Sequence, residues 1–145
     1  MTLEEIEAEW SADSKIDEAN LVREAARIPK LHHKYYMFYV KEGLRVRKLK
    51  ADLKVLQRDK YDWYLGTMAE EDLKERGWKP NPRKIIRSEV DKYIDSDKDI
   101  VELSLKIDYF ASVEKFLEDI VKQISNRNFI ISNIVNWSKF TAGAG

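Results

Sequence analysis

Apolar residues recur along this chain at spacings of three and four, the period of a helix that buries one face. The run that organises the rest is Lys41 to Leu65, KEGLRVRKLKADLKVLQRDKYDWYL. Val46, Leu49, Leu53, Leu56 and Trp63 form an apolar seam suited to a partner helix, with one polar interruption at Lys60. Arg47, Lys50, Lys54 and Arg58 repeat at the same spacings in another phase, so they line a second face. Tyr61 stands three residues beyond Arg58 and extends that face with an aromatic ring.

The same period predicts the remaining elements. Thr2-x-x-Glu5 has the form of a capping box and opens a short acidic helix from Leu3 to about Trp10. Ser11 to Ser14 reads as a break, and a second helix is expected from about Asp17 to Ile28. Pro29 ends or kinks it, and the long helix then runs from about Lys30 to Leu65, where Gly66 terminates it. Early in that helix Leu31, Tyr35 and Tyr39 keep the spacing of a buried face, so the nearby Tyr36 and Phe38 are also assigned to packing. Glu70 to Arg76 predicts a short helix stopped by Gly77, and Lys79-Pro80-Asn81-Pro82 a turn. Lys84 to Ile94 is read as a helix with Ile86, Val90 and Ile94 on one face. A helix from about Lys98 to Ser125 carries a seam of Leu103, Ile107, Phe110, Leu117, Val121 and Ile124. A second row, Tyr109, Val113, Phe116 and Ile120, implies a second contact face. After a break at Ser125 to Asn128, the last helix carries Phe129, Ile130, Ile131, Ile134, Val135, Trp137 and Phe140. It is apolar most of the way round, which favours burial between subunits.

Charge changes the picture because its distribution is uneven. The total is balanced, 26 basic against 26 acidic, yet residues 1–29 carry a net −5 and residues 30–60 a net +7. A cationic row ending in aromatic rings suits a phosphate backbone with unstacked bases. A solvated coiled-coil face would explain the same row. With no cysteine there is neither a disulfide framework nor a thiolate metal site. No apolar run approaches a membrane span or a signal peptide, so a soluble intracellular protein is expected.

Candidate chemistry is sparse. Gly43, Gly66 and Gly77 lie too far apart for a phosphate-cradling loop. His32 and His33 are adjacent and point to different sides of a helix, so they cannot share a metal. Asp95-x-Asp97-x-Asp99 begins like a calcium loop, but Ile100 stands where glycine is needed and Lys106 where the bidentate acid belongs. Those aspartates are better read as caps of the following helix. No catalytic group, metal or cofactor is expected.

The order and spacing of residues resemble the UvsY family, the recombination mediators of T-even and related tailed phages. The resemblance rests on Leu3-Glu4, Ile16-Asp17, Leu21 and Glu24-Ala25-Ala26, then on Arg58, Lys60, Asp62, Trp63 and Tyr64. It continues through Asp97-Lys98-Asp99, Arg127, Phe129, Ile131, Ile134, Phe140 and Ala142-Gly143. It implies an all-α fold, a long helix packed against C-terminal helices, assembling into an open ring-like homo-oligomer, a heptamer in the best-known member. Residues 1–95 would carry the DNA-binding long helix and residues 96–145 the oligomerisation helices, within one compact unit. The implied partners are single-stranded DNA, a RecA-like (UvsX-type) recombinase and the phage single-strand-binding protein, in the cytoplasm of the infected host. The family's central basic pair falls here on Arg58 and Lys60, with Arg where Lys is usual and Lys where Arg is usual. The expected DNA-binding residues are therefore Arg47, Lys50, Lys54, Arg58, Lys60, Tyr61 and Tyr64. The tyrosines are stacking candidates, and Trp63 belongs to the core. The alternative is a helical scaffold or assembly adaptor without a nucleic-acid role.

Overall fold

A computed structural model describes residues 1–143, and every regular element in that span is helical. The helices are α1 (Leu3–Asp13), α2 (Leu21–Leu65), α3 (Glu70–Arg76), α4 (Val90–Asp95), α5 (Lys98–Ser125) and α6 (Arg127–Thr141), with a 3₁₀ turn at Arg87–Glu89. Two compact units emerge, a first made of Met1–Gly43 with the chain from Ala111 onward and a second of Leu44–Phe110. This grouping does not follow the expected division at residue 95. The last two residues of the expected 96–145 region lie outside the described residues.

In the first unit, Thr2 Oγ1 accepts from the Glu5 amide at 3.2 Å while Glu5 Oε2 accepts from the Thr2 amide at 2.9 Å. The anticipated capping box therefore opens α1, which continues to Asp13 rather than stopping near Trp10. Asp17 does not start a helix. Its carboxylate accepts from the Ala19 amide at 3.0 Å in a turn, and Asn20 instead caps α2 through the Arg23 amide at 3.3 Å. α2 then passes through Pro29 without a break. Pro29 and Ala25, whose carbonyl loses its helical donor, both lie on the exposed side, where solvent can reach that carbonyl. On the opposite side Leu31 and Tyr35 join Ile6, Val113, Leu117, Ile120 and Ile124 in one buried cluster. Val113 and Ile120 come from the second row of α5, so that row is taken up by the chain's own core there.

Arg127 fastens the start of α6. Its guanidinium, 3% exposed, donates to the Ser14 carbonyl at 3.2 Å and the Lys15 carbonyl at 3.4 Å, and pairs with Glu24 at 3.1 Å. α6 accordingly begins at Arg127, earlier than Phe129.

In the second unit Val46, Leu49, Leu56, Val90, Ile100 and Ile107 are buried. Gly66 ends α2 at φ 75°, with the Thr67 amide returning to the Asp62 carbonyl at 2.9 Å. Gly77 ends α3 in the same way, the Trp78 amide donating to the Leu73 carbonyl at 2.9 Å. The helix expected over Lys84 to Ile94 is shorter. Residues 84–86 are outside any helix, because the Ile85 amide and the Asn81 side chain both donate to the Tyr64 carbonyl at the end of α2, at 2.9 and 3.3 Å, and Ile86 is extended. Val90 is fully buried as expected, whereas Ile86 is exposed.

Candidate nucleic-acid interface

The basic row lies on the second half of α2. Arg47, Lys50 and Lys54 are exposed, and none of them is held in an ion pair among the described residues. Arg58 is 72% exposed at its side chain, with only a 3.6 Å approach to the neighbouring Asp59. These four cations project into solvent from successive turns of one helix. A polyanion could reach all of them without breaking a buried contact.

Lys60 is placed differently. Its side chain is 11% exposed, and its ammonium sits 2.8 Å from Asp99 Oδ2 and 3.2 Å from Asp97 Oδ2. The same ammonium lies over the Trp78 ring at 4.5 Å and the Trp63 ring at 5.7 Å. Lys60 is therefore not part of the exposed row: two carboxylates and two indoles already surround its charge. Its neighbours close the node. The Trp63 indole donates to the Lys79 carbonyl at 2.7 Å, and Arg76 donates to Asp59 at 2.9 Å through Nε. The node ties the end of α2 to α3 and to the start of α5.

Tyr64 belongs to this node as well. Its hydroxyl donates to Asp97 Oδ2 at 2.6 Å, and its ring packs edge-on against Trp63 and tilted against Tyr93. Burial raises the phenol's pKa, and the hydrogen bond to Asp97 and that carboxylate's charge raise it further. Burial also pushes Asp97 upward. Hydrogen bonds from Tyr64, the Ile100 amide and Lys60 outweigh that, and hold its carboxyl below the usual range. Asp97 Oδ1 meanwhile accepts from the Asp99 and Ile100 amides at 3.0 and 3.2 Å, the capping role expected of this acidic run. Tyr61 keeps a half-buried ring beside the basic row.

Three of these positions were legible only in part or not at all. Lys60 falls in phase with the apolar seam, which signals a covered position, whereas the family pattern assigns it to DNA. Trp78 directly follows a helix-stopping glycine, a signal of folding back, whereas no spacing marks Arg76.

The expected oligomerisation residues lie on α6 of the other unit. Ile131 is buried, and Ile134 and Val135 are half-buried. Phe129, Ile130, Trp137 and Phe140 are exposed, Trp137 by 67%, and Trp137 stacks on Phe140 with centroids 5.7 Å apart. No group of acids and histidines among the described residues could hold a metal ion, and no helix there is long and apolar enough to cross a membrane.

The family described as "Recombination, repair and ssDNA binding protein UvsY" matches residues 9–144. The chain belongs to the UvsY family. The Recombination protein uvsY of Enterobacteria phage T4 is 24% identical over 143 residues, 99% of each chain. Two crystal structures of the bacteriophage T4 recombination mediator protein UvsY share the fold. Lattice type II superposes with a TM-score of 0.81 at 24% identity, covering 98% of both chains. Lattice type IV gives 0.82 at 22% identity, over 97% of this chain and 99% of that one. In this UvsY-family chain the all-α architecture expected from the resemblance is thus observed. The family is one of recombination, repair and single-strand-binding proteins.

Proposed function

We propose that this protein is a recombination mediator that binds single-stranded DNA as a homo-oligomer. In this reading it favours loading of a RecA-like, UvsX-type recombinase onto DNA coated by a phage single-strand-binding protein, in the cytoplasm of the infected host. The observation that carries the DNA-binding part is the row Arg47, Lys50, Lys54 and Arg58, four solvated cations on one helix with no buried partner to give up. Tyr61 offers a ring at the end of that row. Lys60 and Tyr64 contribute by holding the helix end in place.

One row is weak: four phosphate contacts correspond to a salt slope of about −3 on single strands. Assembly makes it useful. Exposed Phe129, Ile130, Trp137 and Phe140 give α6 an apolar surface for neighbouring copies, a ring of seven on the family pattern. Repeating the row around such a ring raises effective concentration, so avidity exceeds single-site affinity by roughly 10²–10⁴-fold without new contacts. Binding of this kind displaces or reshapes a protein coat by differential affinity and involves no bond-making chemistry.

The test is fluorescence anisotropy of a labelled oligonucleotide at low and moderate salt, with the solution mass measured in parallel. The expected result is an assembled protein whose affinity falls steeply with salt, and Lys54→Ala or Arg58→Ala each reduces the slope by about one per protomer engaged. A lone protomer, or no binding even in dilute buffer, overturns the proposal and leaves a helical scaffold.

A further inference from the structure

An aromatic surface on the first half of α2 has no role in the function so far. His32, Tyr36 and Tyr39 follow one another at helical spacings of four and three, and their rings are nearly parallel. The His32 and Tyr36 planes differ by 11° at a centroid distance of 5.6 Å, and the Tyr36 and Tyr39 planes by 13° at 6.2 Å. Tyr36 is 47% exposed, unlike Tyr35, which is fully buried in the core beside it. Beside Tyr36 and Tyr39 lies a cleft of about 230 Å³, completed by Glu118, Val121 and Lys122 of α5. Lys122 is 65% exposed, and Glu118, which it meets at 3.3 Å, is shared with Lys115 at 3.5 Å. Lys115 also meets Asp119 at 3.2 Å, so two ammoniums and two carboxylates balance here, and Lys122 is the exposed cation that lines the cleft.

We infer that this surface is a base-stacking subsite for single-stranded nucleic acid, with Tyr36 as its platform. The inference rests on the single-strand-binding reading above. Three rings with nearly parallel planes present one common orientation, so a base lying flat on one is aligned with all of them. The cleft has half-buried Val121 as its apolar wall and the Lys122 ammonium at its edge for the adjoining phosphate. A partner helix would require a row of anchor pockets at i, i+3, i+4 and i+7 instead. Stacking accepts every base, so such a subsite would serve single strands of any sequence.

The test uses the full-length protein and three ligands at several salt concentrations: labelled oligo(dT), the same length of abasic strand, and oligo(dT) carrying 5-iododeoxyuridine for photocrosslinking. Tyr36→Ala is expected to weaken oligo(dT) binding by about fivefold to a hundredfold with an unchanged salt slope, since stacking releases no counterions. Tyr36→Phe keeps the ring and should bind like the parent. The abasic strand should not distinguish the parent from Tyr36→Ala, and the crosslink should map to Tyr36 or Tyr39. If the parent binds oligo(dT) and Tyr36→Ala binds it equally, the subsite is wrong and the function stands. If the parent does not bind, both fall. If Tyr36→Ala changes the solution mass, the surface is a contact between copies and the subsite is likewise wrong.

Discussion

The Lys60 node shows how two residues of one basic motif come to different ends. Arg58 and Lys60 are two positions apart, which on a helix turns them to opposite sides. Arg58 meets solvent, while Lys60 meets Asp97, Asp99, Trp63 and Trp78. Replacing Lys60 by methionine therefore leaves two carboxylates without their cation, at a cost of about 2 kcal/mol, because Asp97 keeps its other donors. Urea unfolding should show that loss, whereas Arg58→Ala should unfold like the parent and lose only affinity for DNA. Equal stability of the two variants would refute the distinction. Titration follows from the same contacts. Tyr35 donates to Asp13 at 2.8 Å as Tyr64 does to Asp97. Burial raises Asp13, but hydrogen bonds from Lys34 and Tyr35 outweigh it, so both carboxyls stay below their ordinary value of 3.8. Such depressed groups stabilise the fold above that value and cease to do so as pH falls through their lower folded-state pKa. Both phenols are raised above 10.0, chiefly by burial. Their contribution is complete below that value and is lost as pH rises through the higher folded-state one. Stability measured by urea against pH should therefore be flat between these limits as far as these groups are concerned. It should decline on both sides, and replacing Tyr35 and Tyr64 by phenylalanine should flatten the alkaline decline.

At the scale of elements, the ends of α2 matter more than its length. Its C-terminus is built on Gly66, where φ is 75° and an added Cβ would stand 2.9 Å from Lys84 Cγ. Gly66→Ala should cost about 1–2 kcal/mol through the left-handed backbone, a penalty that movement of the flexible lysine does not relieve. Thermal unfolding measures it, and an unchanged midpoint would show that the turn adopts another conformation. At the other end, Pro29 sits inside a continuous helix although its position in the sequence reads as a boundary. Its exposed side and the burial of Leu31 and Tyr35 opposite explain the tolerance. Pro29→Ala should then raise the unfolding midpoint, since it restores a donor and a favourable helix former at a site already helical.

For the whole molecule the decisive feature is an apolar surface that the single chain does not cover. Trp137, 67% exposed and stacked on Phe140, is its largest ring. Trp137→Glu is expected to yield smaller species in solution with weakened single-strand binding, although it lies outside the basic row. Light scattering combined with the oligonucleotide titration reads both effects. A fully assembled variant, or one that binds normally as a protomer, would break the connection between assembly and affinity.

The helical period and the capping residues were sufficient to determine the all-α class, the capping box at Thr2, the stop at Gly66 and the cap at Asp97. These depend on hydrogen bonds between residues a few positions apart. The exposed positions of Arg47, Lys50, Lys54 and Arg58 were also legible, as a stripe out of phase with the seam. What the period could not decide was which rival reading prevailed where local signals conflicted. Lys60 lay on an apolar seam yet within a basic motif, and Asp97 and Asp99, more than thirty residues away, settled its place. Tyr36 shared a run with Tyr35 and Tyr39, and only packing against the core separated the buried and half-buried rings from the exposed one. Such outcomes depend on contacts between distant segments, and those exist only once the chain has folded.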